Sequence, residues 1–190
     1  MSGSERTEDV VQGALSEAWS LFTSDFVLWI VAGLVLAVGS VVSLGILAGP
    51  LTVGFVQLVE QQRRGEPTSV ADVFGGFSKF GASLIAFLLI GVGFLIGSFF
   101  LFVPGLVFGL LMAFTFHAIA IDDEDAIGGM KRSFELIRAS PALAAVFLVI
   151  VLVLSGLGGS VVFGTLLTTP FTLLLMNLAY GRLSALAGED

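Results

Sequence analysis

The stretch FVLWIVAGLVLAVGSVVSLGILAGPLTVGFVQLV, residues 26–59, contains no Asp, Glu, Lys or Arg. One membrane crossing takes about 20 apolar residues, so this stretch is too long for one crossing and suits two. Gly49-Pro50 interrupts it. Proline fits the first turn of a helix, where its missing N–H costs nothing. The stretch therefore predicts a hairpin of two membrane helices, residues 26–47 and about 50–64, with Glu60, Arg63 and Arg64 snorkelling to the surface at the end.

The pattern recurs twice. Residues 80–121 and 139–181 also lack Asp, Glu, Lys and Arg, and Pro104 and Pro170 break them. All charges fall in residues 5–25, 60–79, 122–138 and 182–190. The spacing predicts membrane helices at about 81–102, 106–121, 141–163 and 170–183. Ser140-Pro141 and Thr169-Pro170 open the fifth and sixth as N-cap plus first-turn pairs. The chain is 56% hydrophobic and 12% charged, against about 25% charged in soluble domains, so lipid must solvate much of its surface. The 24 glycines fit, because membrane helices tolerate Gly and use it to approach one another.

Each hairpin follows an amphipathic segment. In the first, Val10, Val11, Ala14, Leu15, Ala18, Trp19 and Phe22 share a face at helical spacing, with Trp19 at headgroup depth. In the second, Ser69 and Asp72 form a capping box, and Val70, Val73, Phe74, Phe77 and Phe80 follow. In the third, Ile127, Met130, Phe134 and Ile137 form the apolar face. Trp19, Phe74 and Phe134 stand at comparable distances before Pro50, Pro104 and Pro170. The fold expected is an all-α polytopic membrane protein. It has six transmembrane helices in three parallel hairpin repeats, each preceded by a cytoplasmic amphipathic helix. Residues 1–7 are expected to be disordered. Residues 8–184 form a single membrane domain, with repeats at about 8–64, 68–121 and 125–183, and 185–190 form a tail. No cleavable signal precedes residue 26, so the first membrane helix is expected to stay as an anchor.

All eight basic residues lie on the same side of this arrangement as the termini, and the three opposite turns, residues 44–49, 103–105 and 164–169, carry none. The positive-inside rule places both termini in the cytoplasm and the protein in the cytoplasmic membrane. The net charge of −7 argues against nucleic acid, which needs a basic face. The expected partners are the lipid bilayer and a membrane protein or a second copy of the chain.

The segments Ala18-Trp19-Ser20-Leu21-Phe22, Gly49-Pro50-Leu51-Thr52-Val53-Gly54-Phe55, Asp72-Val73-Phe74-Gly75-Gly76-Phe77 and Val103-Pro104-Gly105, and the run from Ala126 to Ile137, resemble a broad prokaryotic group. These are multi-pass proteins related to the membrane domain of glycerophosphoryl diester phosphodiesterases. The resemblance runs from about Val10 to Leu183 and rests on turn and packing motifs. It implies a fold and a membrane location. In the phosphodiesterases catalysis belongs to a separate soluble barrel, which these 190 residues do not contain, so no catalytic residue carries over.

Polar residues inside the membrane spans are the candidate sites. His117, the single histidine, lies near the cytoplasmic end of the fourth helix and has no acidic partner at its depth for a proton relay. Gln57 and Asn177 each follow their proline by seven residues, where the middle copy has Leu111. They suit interhelical hydrogen bonds or the lining of a solute path. Lys131, Arg132 and Arg138 beside the third amphipathic face suit anionic headgroups as well as topology. Asp122–Asp125 lacks the alternating spacing and glycine turn of a calcium loop and reads as first-turn acids of a helix. The pairs Gly45/Gly49, Gly93/Gly97, Gly105/Gly109 and Ser155/Gly159 are small-x3-small packing motifs. With no cysteine, one histidine and no phosphate-binding glycine loop, neither a catalytic triad, a metal site nor a cofactor is expected. The sequence points to a non-enzymatic membrane module supporting lipid or envelope homeostasis or scaffolding a complex. The alternative is a small-solute channel or transporter with a path near Gln57, His117 and Asn177.

A cysteine introduced at Leu44 is expected to react with an impermeant maleimide in intact cells, and one at Glu124 is not. Labelling at Glu124 would overturn the six-helix arrangement with cytoplasmic termini.

Overall fold

The computed structural model describes residues 3–100, 102–159 and 162–188. Helices and turns make up these residues, with no strand among them. In chain order they are α1 (Gly3–Ser24), α2 (Phe26–Val42), α3 (Ala48–Arg63), a 3₁₀ helix (Val70–Lys79), α4 (Phe80–Phe100), α5 (Phe102–Leu111), α6 (Thr115–Ile121), α7 (Ala126–Ala139), α8 (Pro141–Gly159) and α9 (Val162–Ala187). The continuous run Val70–Phe99 and Pro104–Ile121 are long and apolar enough to cross a membrane. The pairs α1–α2, bent by 95°, and α7–α8, bent by 109°, bring the candidates to four if each pair is one span. Two to four such helices mark a membrane-associated protein. Along α4, Ile85, Leu88, Val92, Leu95, Ile96 and Phe99 are exposed, a surface that only lipid solvates cheaply.

Several boundaries differ from the sequence expectation. Helix α1 begins at Gly3, so residues 3–7 are helical rather than disordered, and residues 1–2 lie outside the described residues. Asp25 makes the bend after α1. Its carboxylate accepts from the Leu28 N–H at 3.2 Å, as a helix N-cap does. Helix α2 ends with paired bonds from Gly45 N–H to the Ser40 carbonyl and from Leu44 N–H to the Val41 carbonyl, a Schellman arrangement that requires a left-handed residue. Leu44 supplies it at φ 52°, followed by Gly45 at φ 89°. The fourth expected helix is two pieces, α5 and α6, separated by a turn at residues 112–114. Proline 170 does not open a helix but lies inside α9, and residues 164–169 are helical rather than a turn.

The chain divides into two compact units: Met1–Leu34 with Leu136–Asp190, and Val35–Glu135. In the terminal unit α1 packs along α9. Val11, Ala14, Ala18 and Phe22 turn inward, and the Phe171 ring meets Trp19 and Phe22 edge-on. Arg182 crosses over Gly13 to donate to the Val10 carbonyl at 3.0 Å and to Glu17 at 3.1 Å. Trp29, on α2, donates its indole N–H to the Leu21 carbonyl at 2.7 Å. Pro170 is accommodated because the residue opposite its ring is Gly33, where an added Cβ would lie 3.2 Å from the proline Cδ.

In the central unit α3 is the enclosed helix. Leu51, Val53, Phe55, Val56, Leu58 and Val59 are buried, and the 3₁₀ helix, α4 and α6 surround it. Ser69 and Asp72 close the expected capping box, with the Ser69 N–H donating to Asp72 at 2.6 Å. The helix it opens has three residues per turn rather than 3.6. Positions three apart therefore line up, so Val73 and Gly76 face α3 while Phe74, Phe77 and Phe80 form an outer row with ring centroids 6.1 Å apart at each step. Contact with α3 is backbone on backbone: a Cβ at Gly54 would strike the Val73 carbonyl, and one at Gly76 would strike the Pro50 carbonyl. Two expected packing motifs meet each other in the α4–α5 pair, where a Cβ at Gly97 would lie 2.7 Å from Gly105 Cα.

A common rule emerges. The 3₁₀ helix packs on α3 and α1 on α9, and α7 lies on α6, with Gly129 against the Thr115 carbonyl. Each of these three helices docks through a face that carries a buried small residue: Gly76, Ala14 and Ala18, and Gly129. Trp19, Phe74, Phe77, Ile127 and Phe134 are exposed, while Ala14, Ala18, Gly76, Gly129 and Ser133 are buried. Small residues on these faces let backbones approach, beside the buried Val11, Phe22, Val73 and Leu136.

Gly54→Ala is expected to lower stability in detergent by about 1–3 kcal/mol, because the 3₁₀ helix must move off α3. Gly81→Ala, where an added Cβ meets nothing within 4 Å, should be neutral or up to about 1 kcal/mol stabilising through helix propensity. Equal thermal shifts for the two variants would contradict the close docking.

Candidate functional site

The candidate polar residues occupy three environments. Gln57 lies on α3 in the central unit, half-buried, and its Oε1 sits 3.2 Å from the position a Cβ would take at Gly75. The missing side chain at Gly75 is what gives the amide room. At this end of α3 a cleft of about 320 Å³ opens beside α6, lined by Gln57, Glu60, Gln61, Arg64, Ala120 and Ile121. It exists because α3 outruns its neighbour. Phe116 lies against Gly49 and Ile119 clusters with Val53, so the two helices run side by side in the same direction. Helix α6 stops at Ile121 while α3 continues to Arg63.

His117 belongs to the same unit but does not line the cleft. It is 3% exposed, with the Phe114 ring edge-on at 6.0 Å between centroids. A histidine so enclosed is built into the packing of α6. Asn177 lies in the terminal unit, fully buried in α9 among Leu174, Leu175, Leu178 and Ala179. Each of the two amides is placed by its own unit.

The basic residues on α7 separate as well. Arg132 pairs with Asp122 at 3.3 Å, each about a third exposed, so its charge is engaged within the protein. Lys131 and Arg138 are exposed. Lys79 pairs with Asp123. Two acids of the 122–125 run thus serve ion pairs, and no group of three or more His, Cys, Asp or Glu gathers for a metal among the described residues.

One polar residue with a structural role escaped sequence reasoning. Ser133 is buried on the docked face of α7. Its hydroxyl donates to the Leu111 carbonyl at 2.7 Å and accepts the Phe114 N–H at 3.0 Å. It thereby satisfies both sides of the turn between α5 and α6. Leu111 is the position that corresponds to Gln57 and Asn177 by distance from the proline. Where those copies carry a side-chain amide, this one carries a broken helix whose backbone polar groups are met by a serine. The signal in the sequence was a hydroxyl three positions from Met130 and four from Gly129 on a small-residue stripe. Arg182 and Glu17 were also visible only as charges, and their pairing needed the fold.

The arrangement offers hydrogen-bond donors and acceptors at one margin of the central unit. Compared with known proteins, the chain matches no family model, no curated protein and no solved structure.

Ser133→Ala should cost about 1–3 kcal/mol, because it removes the partner of a buried backbone group. Thermal unfolding of the purified protein measures this, and an unchanged midpoint would show that the break does not depend on the serine.

Proposed function

We propose that the chain is a module of the cytoplasmic membrane without chemistry of its own. In this reading it has six crossings in three hairpin repeats, cytoplasmic termini, and a role in lipid or envelope homeostasis or in holding a membrane complex together. The observation that carries the reading is the outward placement of large apolar side chains on helices that are already docked. Trp19, Phe74, Phe77, Ile127 and Phe134 stay exposed, and Glu8, Asp9, Gln12 and Ser16 on α1 are exposed as well. Such helices suit the boundary between headgroups and acyl chains, where aromatic rings are enriched and polar groups remain wet. The grouping of all eight basic residues on one side of the expected topology supports the orientation. The shared docking rule of α1, the 3₁₀ helix and α7 supports a threefold internal repeat. The resemblance to phosphodiesterase membrane domains contributes a membrane location alone.

In a Trp29→Phe background, which leaves Trp19 as the only tryptophan, fluorescence should be quenched most by lipids brominated near the headgroup. Strongest quenching by lipids brominated at the chain ends would reject the interfacial placement. For function, purified protein in liposomes should show no solute-dependent flux, and a membrane partner should co-purify in stoichiometric amount. Flux abolished by Gln57→Leu would move the assignment to a transporter.

A further inference from the structure

We propose that the cleft between the C-terminal turns of α3 and α6 binds a phosphoethanolamine group, the head of a zwitterionic phospholipid. The inference rests on the membrane reading above and assigns it a ligand. Location comes first. Ile121, on the cleft wall, is the last residue of the span Pro104–Ile121. The ion pairs Lys79–Asp123 and Arg132–Asp122 lie at the same end of the central unit. The cleft therefore opens at the polar margin of the apolar helices, where headgroups lie, and acyl chains need not leave the bilayer. Its volume of about 320 Å³ suits a headgroup, falling at the small end of ligand pockets.

The charge pattern selects the ligand. Glu60 is the deeper charge, with its side chain 18% exposed and held by Arg63 at 2.9 Å, which fixes the carboxylate at the cleft wall. The C-terminal turns of α3 and α6 both line the cleft, and helix C-termini carry partial negative charge. The inner end thus favours an ammonium. Arg64, 65% exposed, stands at the rim with Glu66 4.0 Å away; so long and exposed a contact is weak, and a phosphate can displace it. Gln57 and Gln61, between the two, donate and accept. One carboxylate and one guanidinium four residues apart on a helix face neighbouring positions, which suits the short separation of the two charges in a phosphoethanolamine. A phosphoglycerol head has no ammonium for Glu60. A phosphocholine head has no N–H to donate to it.

The test uses the full chain in detergent micelles, with phosphatidylethanolamine, phosphatidylglycerol or phosphatidylcholine titrated in and bound lipid counted by native mass spectrometry. Phosphatidylethanolamine should be retained over the other two. Glu60→Gln and Arg64→Gln should each weaken it roughly tenfold, the loss of one charge-assisted hydrogen bond. Glu135→Gln, at an exposed position on α7, should leave binding unchanged. Gln61→Glu should increase the preference for phosphatidylethanolamine over phosphatidylglycerol, a gain that misfolding cannot imitate. Soluble O-phosphoethanolamine separates the sources: competition by it shows that the head alone is recognised, and binding of the lipid without such competition shows that the chains are also needed. Equal retention of the three lipids, or an unchanged titration in Glu60→Gln, would overturn the site. Failure of the protein to fractionate with membranes would overturn the membrane reading itself, whereas a membrane-embedded protein without lipid preference loses only the site.

Discussion

Backbone-to-backbone approach at small residues holds this structure together. Between apolar helices in lipid there is little hydrophobic drive to associate, since acyl chains solvate Leu and Val as well as a neighbouring helix does. Dispersion and close fit must supply the energy, and both fall off within a fraction of an ångström. Gly54 against Val73, Gly76 against Pro50 and Gly129 against Thr115 all meet this requirement. The same contacts decide where the bulky residues go. Once Gly76 faces α3, the three-residue turn carries Phe74, Phe77 and Phe80 to the outside as a row. What looks like a hydrophobic face in sequence is therefore the outer side of an element whose protein side carries Val73 and Gly76.

The sequence made the membrane character legible because charge is the costliest thing to place in lipid. Uncharged runs bounded by charged blocks leave few other readings, and the helical content, the capping box at Ser69 and the start of α8 at Pro141 followed from local chemistry. Faces were not legible. Periodicity finds the apolar side of a helix, here Ile127 and Phe134, but does not show which residues meet the protein, so Ser133 was passed over. Pro170 misled for another reason. A proline reads as a boundary from its own neighbourhood, whereas its tolerance inside α9 depends on Gly33, far away in the chain. The break at residues 112–114 has no Gly or Pro to announce it and is stabilised by a hydroxyl from another helix.

The candidate sites divide along the same line. Gln57 and Asn177 were found because an amide in an apolar span stands out, and so was His117. That Gln57 opens onto a polar cleft could not be read, because the cleft depends on α6 ending where α3 continues. Glu60 and Arg64 were read as snorkelling charges at a helix end, a reading silent about the cleft that both line.

The 3₁₀ helix also sets a distance. Ten residues wound at about 2.0 Å per residue reach about 20 Å, where an α-helix of equal length would reach about 15 Å. Runs of this winding beyond three or four residues are uncommon, so the stretched form is held by its contact with α3 and by the Ser69 cap rather than by its own hydrogen bonds. Its C-terminal neighbour, α4, therefore begins about 5 Å further along than α-helical winding of the same ten residues would place it. The axial position of the longest uncovered apolar helix is thus set by a glycine contact on another element.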